Sequence, residues 1–171
     1  MDAAEFRALY RYPPALAWHL GVERECLIAD ASGVIVPRAR EILSTLSAGA
    51  HVRGSRGLVQ LDGSEFTHEL SACQVESRVV PCLPAHLRAL LEERDLMQER
   101  AFLGFGLTPI HTEVGPADMP REVYQDSSGR YERIASSLSR DRLLAACRVI
   151  GTHVHVGMPD HETALAVYNE A

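Results

Sequence analysis

No stretch of this sequence approaches the roughly 20 consecutive apolar residues that a membrane-crossing helix needs. The opening Met1-Asp2-Ala3-Ala4-Glu5 is acidic, with no basic segment and no apolar segment behind it, so neither a secretory leader nor a membrane partner is expected and the chain reads as cytoplasmic. Positive charge is also short: 17 Lys+Arg against 23 Asp+Glu leave a formal net charge of −6, which argues against binding nucleic acid through the bulk field. Cys26, Cys73, Cys82 and Cys147 lie far apart and form no C-x-x-C pair, which argues against a zinc knuckle or a disulfide frame and for reduced, buried thiols. There is no glycine-rich phosphate loop of the Walker or dinucleotide type, no internal repeat and no low-complexity tract.

What is present is a chain of 171 residues with 46% hydrophobic and 23% charged residues, the length and balance of one globular domain spanning residues 1–171. Alternation over residues 21–30, with Val22, Arg24, Cys26 and Ile28 on one parity and Glu23, Glu25 and Leu27 on the other, predicts a strand. Val34-Ile35-Val36 after the Asp30–Gly33 turn residues completes a predicted β-hairpin over 21–36. A helix is expected from Pro37 to about Leu46, loops around a short strand at 57–61, and an extended segment over 69–80. The clearest helix covers about 84–101; a buried strand follows over 101–110, then an aperiodic loop over 112–128. A second long helix over about 130–148 would turn Ile134, Leu138, Leu143, Leu144 and Cys147 inward. A strand over 149–157 leads into a last helix with Asp160 as its N-cap. This mixed order predicts an α+β fold with a largely antiparallel sheet and helices on its outer face.

Three groups of residues could carry chemistry. Glu23 and Glu25 alternate along one strand, so both carboxylates project to one face. Two adjacent anions repel unless a cation lies between them, and hard oxygen ligands suit Mg²⁺ or Mn²⁺; the competing reading is a solvated hairpin face. Glu76 shares a polar parity with Gln74 and Arg78, and Glu69 stands seven residues earlier. An odd separation sends two residues to opposite faces of an unbroken strand, so a shared site requires a bend between them; otherwise one of the pair is merely exposed. In Gly151-Thr152-His153-Val154-His155-Val156-Gly157 both imidazoles fall on one face, between glycines that admit close approach. Such a pair suits metal ligation or contact with phosphate.

In this order the motifs resemble the N-terminal half of the glutamate–cysteine ligase type 2, or carboxylate–amine ligase, family. The family's G-[VI]-E-x-E opening is matched by Gly21-Val22-Glu23-Arg24-Glu25, its acidic strand by Glu69 through Glu76 to Cys82, its Arg-Tyr pair by Arg130-Tyr131, and its G-x-H-V-H-V-G strand by Gly151 to Gly157. Two places depart from the pattern. The central strand has Leu107-Thr108-Pro109 with His111 beyond it in place of Thr-His-Pro, and Ser77-Arg78-Val79 follows Glu76 in place of an apolar residue and a threonine.

The resemblance implies half of a glutamine-synthetase-like catalytic funnel, the N-terminal part of a larger catalytic domain. It also implies an ATP-dependent ligase that activates a carboxylate, typically of glutamate, as an acyl phosphate for attack by an amine such as cysteine. Glu23, Glu25, Glu69, Glu76 and His153 would hold Mg²⁺ or Mn²⁺, with His155 and Arg130 toward nucleotide or substrate. Because members of the family are about twice as long, the chain is expected to need a C-terminal half or a homo-oligomer. Two competing readings remain: a zinc hydrolase built on His153, His155 and a carboxylate, and a non-catalytic binding fragment.

Overall fold

The computed structural model describes residues 12–48, 59–61 and 64–170. It is an α+β structure built on one antiparallel sheet, with strands β1 (Leu20–Ala29), β2 (Val59–Leu61), β3 (Ser64–His68), β4 (Gln74–Cys82), β5 (Thr108–Ile110) and β6 (Thr152–Val156). The path runs β2-β3-β4-β1, and the far edge of β1 is shared: β6 pairs with its first half and β5 with its last residues. The helices are α1 (Ala39–Ala48), α2 (Pro84–Leu103), α3 (Arg130–Ser137), α4 (Arg140–Arg148) and α5 (His161–Glu170). Among the described residues no helix is long and apolar enough to cross a membrane.

The even residues of β1 explain where the core lies. Cys26 and Ile28 join Phe66 and Val75 of the neighbouring strands beneath Ile42, Leu43 and Leu46 of α1 and Ala101 and Phe102 of α2. Burying each large apolar side chain there contributes roughly 1.5–3 kcal/mol. The odd face is closed only at one end, where Leu27 and Ala29 pack with Met119, Ile150 and Leu144. Its other end, around Glu23 and Glu25, is only partly covered. Thus α1 and α2 occupy the outer face, while Leu144 of α4 and Tyr131 of α3 pack at the margin of the acidic face.

Several expected elements differ in extent. The 21–36 hairpin reduces to a long first strand with an isolated bridge, Ala29↔Ile35, because the returning segment meets β1 only where β4 has ended. Residues 64–68 form a strand where a loop is expected, and the extended segment predicted over 69–80 begins only at Gln74. In between, the Ser71 hydroxyl accepts the Cys73 amide at 3.1 Å and the Ser71 carbonyl accepts the Gln74 amide at 3.1 Å, which turns the chain. The buried strand over 101–110 is mostly helix and turn: α2 continues to Leu103, Gly106 takes a left-handed φ of 65°, and only Thr108–Ile110 is extended. The long helix over 130–148 is two helices, since Leu138 is extended and the Ser139 hydroxyl caps α4 by accepting the Arg142 amide. That break leaves Ile134 exposed. Asp160 does cap α5, accepting the Thr163 amide at 2.7 Å. The predicted 57–61 strand is β2; residues 51–58 lie outside the described residues.

Candidate metal-binding face

The register of the sheet assembles the site. Glu25 stands opposite Glu76, and Glu23 opposite Arg78 on one side and His153 on the other, with His155 opposite Gly21. Directly opposed residues of an antiparallel pair hold their Cβ atoms about 4.5–5.5 Å apart, and like charges there are destabilising. The Glu25–Glu76 pair is therefore an arrangement that stability alone disfavours, the more so because Glu76 is 2% exposed. The turn after β3 adds Glu69, so the bend that a shared site requires is present.

Two overlapping sets of ligand atoms result, each within 4.8 Å of one another: Glu25, Glu69 and Glu76, and Glu23, Glu76 and His153. In the first set burial, and then the Glu76 charge, pushes the Glu69 carboxyl up to about 8. Burial also raises Glu25, partly offset by the Gly151 amide that donates to its Oε2 at 2.9 Å. Glu23 behaves differently. Burial acts to raise it, but hydrogen bonds to His155 and His153 and the Arg78 charge outweigh that and leave it lowered. Its Oε2 is 3.3 Å from His153 Nδ1 and 3.2 Å from His155 Nε2, so the two imidazoles do share one face and one partner. Gly157 is required by close approach: a Cβ there would lie 1.9 Å from the Leu16 carbonyl oxygen.

Arg78 completes the face. Its Nε lies 3.2 Å from Glu23 Oε1 and donates to Glu76 Oε1 in a close ion pair. The alternation Gln74, Glu76, Arg78 places it on the acidic face, but its position between two carboxylates follows from cross-strand register. Beside it opens a groove of about 510 Å³ whose lining includes Thr67, His68, Tyr124, Asp126, Arg130 and Tyr131. His68 stacks on Tyr124 with centroids 4.2 Å apart and meets Tyr131 edge-on at 5.4 Å. Arg130 starts α3, lies over the Tyr131 ring at 5.6 Å and reaches the groove, not the carboxylate cluster. Tyr131 belongs to the Arg-Tyr pair of the sequence, but Tyr124 carries no sequence signal because the loop that supplies it has no periodicity. His111 lies with the charges of Arg24, Asp95 and Arg94 beneath the sheet, away from the acidic face.

The thiols stand apart from this chemistry. All four cysteines are free and buried, and burial pushes Cys26 up to about 12 and Cys73 to about 11. A thiolate nucleophile is disfavoured at both positions.

The antiparallel strands thus converge carboxylates and imidazoles on one face of the sheet, a set of donor atoms of the kind that could hold a cation. Residues 19–171 match the family described as glutamate-cysteine ligase family 2, and the chain belongs to that family. Proteins named "Putative glutamate--cysteine ligase 2" from Rhodopirellula baltica and Salinispora arenicola are 30% and 32% identical to it, over 88% and 92% of this chain. A "Putative glutamate--cysteine ligase 2-2" from Mycolicibacterium vanbaalenii is 34% identical over 88% of the chain. The chain spans 38%, 38% and 37% of the length of these three relatives.

Proposed function

We propose that this chain supplies the carboxylate wall of an ATP-dependent carboxylate–amine ligase that joins glutamate, or a similar carboxylate, to an amine such as cysteine. The observation that carries the reading is the convergence of Glu25, Glu69 and Glu76, with ligand oxygens within 4.8 Å, on one face of a family member. An all-oxygen anionic set fits Mg²⁺ or Mn²⁺ better than Zn²⁺, which favours nitrogen and sulfur. Bound there, such an ion would neutralise phosphoryl charge during transfer from ATP to the substrate carboxylate.

The chain's own residues then have defined tasks. Glu25, Glu69 and Glu76 hold the ion, and the Gly151 amide fixes Glu25. Arg130 and the aromatic groove beside Arg78 offer a cation and apolar faces to an anionic substrate or nucleotide. The amine would attack the carbonyl carbon of the acyl phosphate, forming the amide C–N bond as the acyl C–O bond breaks, with inorganic phosphate leaving and the amine giving up a proton. Further ligands would come from the remainder of a longer protein. The zinc-hydrolase reading fits less well, because both imidazoles point at the one carboxylate that also pairs with Arg78.

The test supplies ATP, Mg²⁺, glutamate and cysteine to the chain alone and to the chain joined to the C-terminal part of a relative. ADP release that requires both amino acids in the joined form is expected. No ADP from either form, with both folded, overturns the proposal.

A further inference from the structure

The two ligand sets are not equivalent, and the difference rests on one residue. Glu23 and Glu76 of the second set are already bridged: the Arg78 guanidinium donates to Glu76 and lies 3.2 Å from Glu23. Glu23 also meets His153 and His155, so each of its oxygens has a cationic or hydrogen-bonding neighbour. A divalent ion needs carboxylate oxygens at about 2.0–2.6 Å, and a guanidinium between the same two carboxylates both fills that space and repels the ion. In the first set Arg78 bonds Glu76 alone and bridges no pair of carboxylates among the described residues. Glu25 accepts the neutral Gly151 amide, and the charges that act most strongly on Glu69 are the carboxylates of Glu76 and Glu25, with Arg78 a lesser neighbour.

We infer that Arg78 is a built-in cation that closes the Glu23–Glu76–His153 set, so that this chain takes one divalent ion, at Glu25–Glu69–Glu76, where its face has the ligands for two. The inference rests on the metal reading above but separates from it. Arg78 is a positioning residue here: it holds Glu23 away from the ion and leaves Glu76 to a single ion. The histidines then serve the Glu23–Arg78 pair rather than a metal.

Counting bound Mn²⁺ tests this directly, from the electron paramagnetic resonance signal of the free ion, on the 171-residue chain with folding checked by circular dichroism. One ion is expected on the natural chain, two on Arg78→Ala, one on Glu23→Gln, and one on the double variant, since the opened site needs Glu23. Two ions on the natural chain, or a single ion on folded Arg78→Ala, overturn the inference and leave the metal reading standing. Should Arg78→Ala not fold, Glu23→Gln decides: a retained ion supports the inference and a lost ion overturns it. Mn²⁺ on no folded variant removes the metal reading and the inference together.

Discussion

Consecutive residues of β1 serve two charged clusters of opposite sign on opposite faces of one strand. Glu23 and Glu25 join Glu69 and Glu76 on the partly open face, where acid exceeds base. Arg24 turns toward α2, where it and Arg94 converge on Asp95 and base exceeds acid. Arg94 is fully buried, and among the described residues its Nε and Nη1 have no hydrogen-bond partner, nor does Arg24 Nε. Both clusters carry unbalanced charge, and the acidic one lies beside a groove of about 510 Å³. Unbalanced charge alone does not mark a site; it marks one where converging ligand atoms can also be reached by what they would bind.

The largest difference between the clusters should come from Glu76→Gln. Glu76 belongs to both ligand sets, so Mn²⁺ affinity should fall by more than the roughly 10–100-fold that loss of an outer-shell partner costs. Titration calorimetry checks it, and an unchanged affinity would place the ion elsewhere. Asp95→Ala is the counterpart beneath the sheet. It leaves two guanidiniums facing each other, one of them fully buried, and should cost roughly 2–3 kcal/mol in urea unfolding, reduced from the fully buried case because Asp95 is 41% exposed. Its Mn²⁺ count should stay that of the natural chain; a lost ion would mean the faces are coupled.

How far each cluster was legible in the sequence follows from the range over which its geometry is set. Period-two alternation puts Glu23 with Glu25 and Glu76 with Arg78, and the odd spacing of Glu69 requires the turn that Ser71 makes. The position of Arg78 between Glu23 and Glu76 depends on which residue of β4 faces which of β1, and no pattern within one strand carries that. Strand β3 is short and was hidden among polar residues. The break between α3 and α4 is local but faint: Ser136 and Ser137 bond back to the Arg133 and Ile134 carbonyls, and Ser139 caps the next helix. Burial of Arg94 contradicts its place in a chain of charges on α2 because α2 packs against β4 and β5 through that side.

The clusters also separate by pH. The native Glu69 keeps its proton up to about 8, whereas the unfolded carboxyl releases it near 4.5, so the folded chain binds more protons within that window. Stability must then fall as pH rises from about 4.5 to 8, with a slope of at most about 1.4 kcal/mol per pH unit. Thermal unfolding in a chelator should show this fall, Mn²⁺ should flatten it, and Glu69→Gln should reduce it to the smaller fall left by the raised Glu25 carboxyl. A flat profile for the natural chain in chelator would mean that the three carboxylates do not repel as their register implies.

The smallest effect expected is that of His153→Ala, and its smallness is informative. His153 is 55% exposed and 3.3 Å from Glu23, so in the natural chain it touches a carboxylate that Arg78 already neutralises. An exposed pair of this kind contributes at most about 1 kcal/mol, so unfolding should shift little and Mn²⁺ affinity by less than about threefold. In the Arg78→Ala background the same change should matter, because His153 then becomes the only nitrogen ligand of the reopened Glu23–Glu76 set. Loss of the second ion there, with the first retained, would tie His153 to the closed set. Equal losses in both backgrounds would instead make His153 a ligand of the natural site and erase the distinction between the two ligand sets.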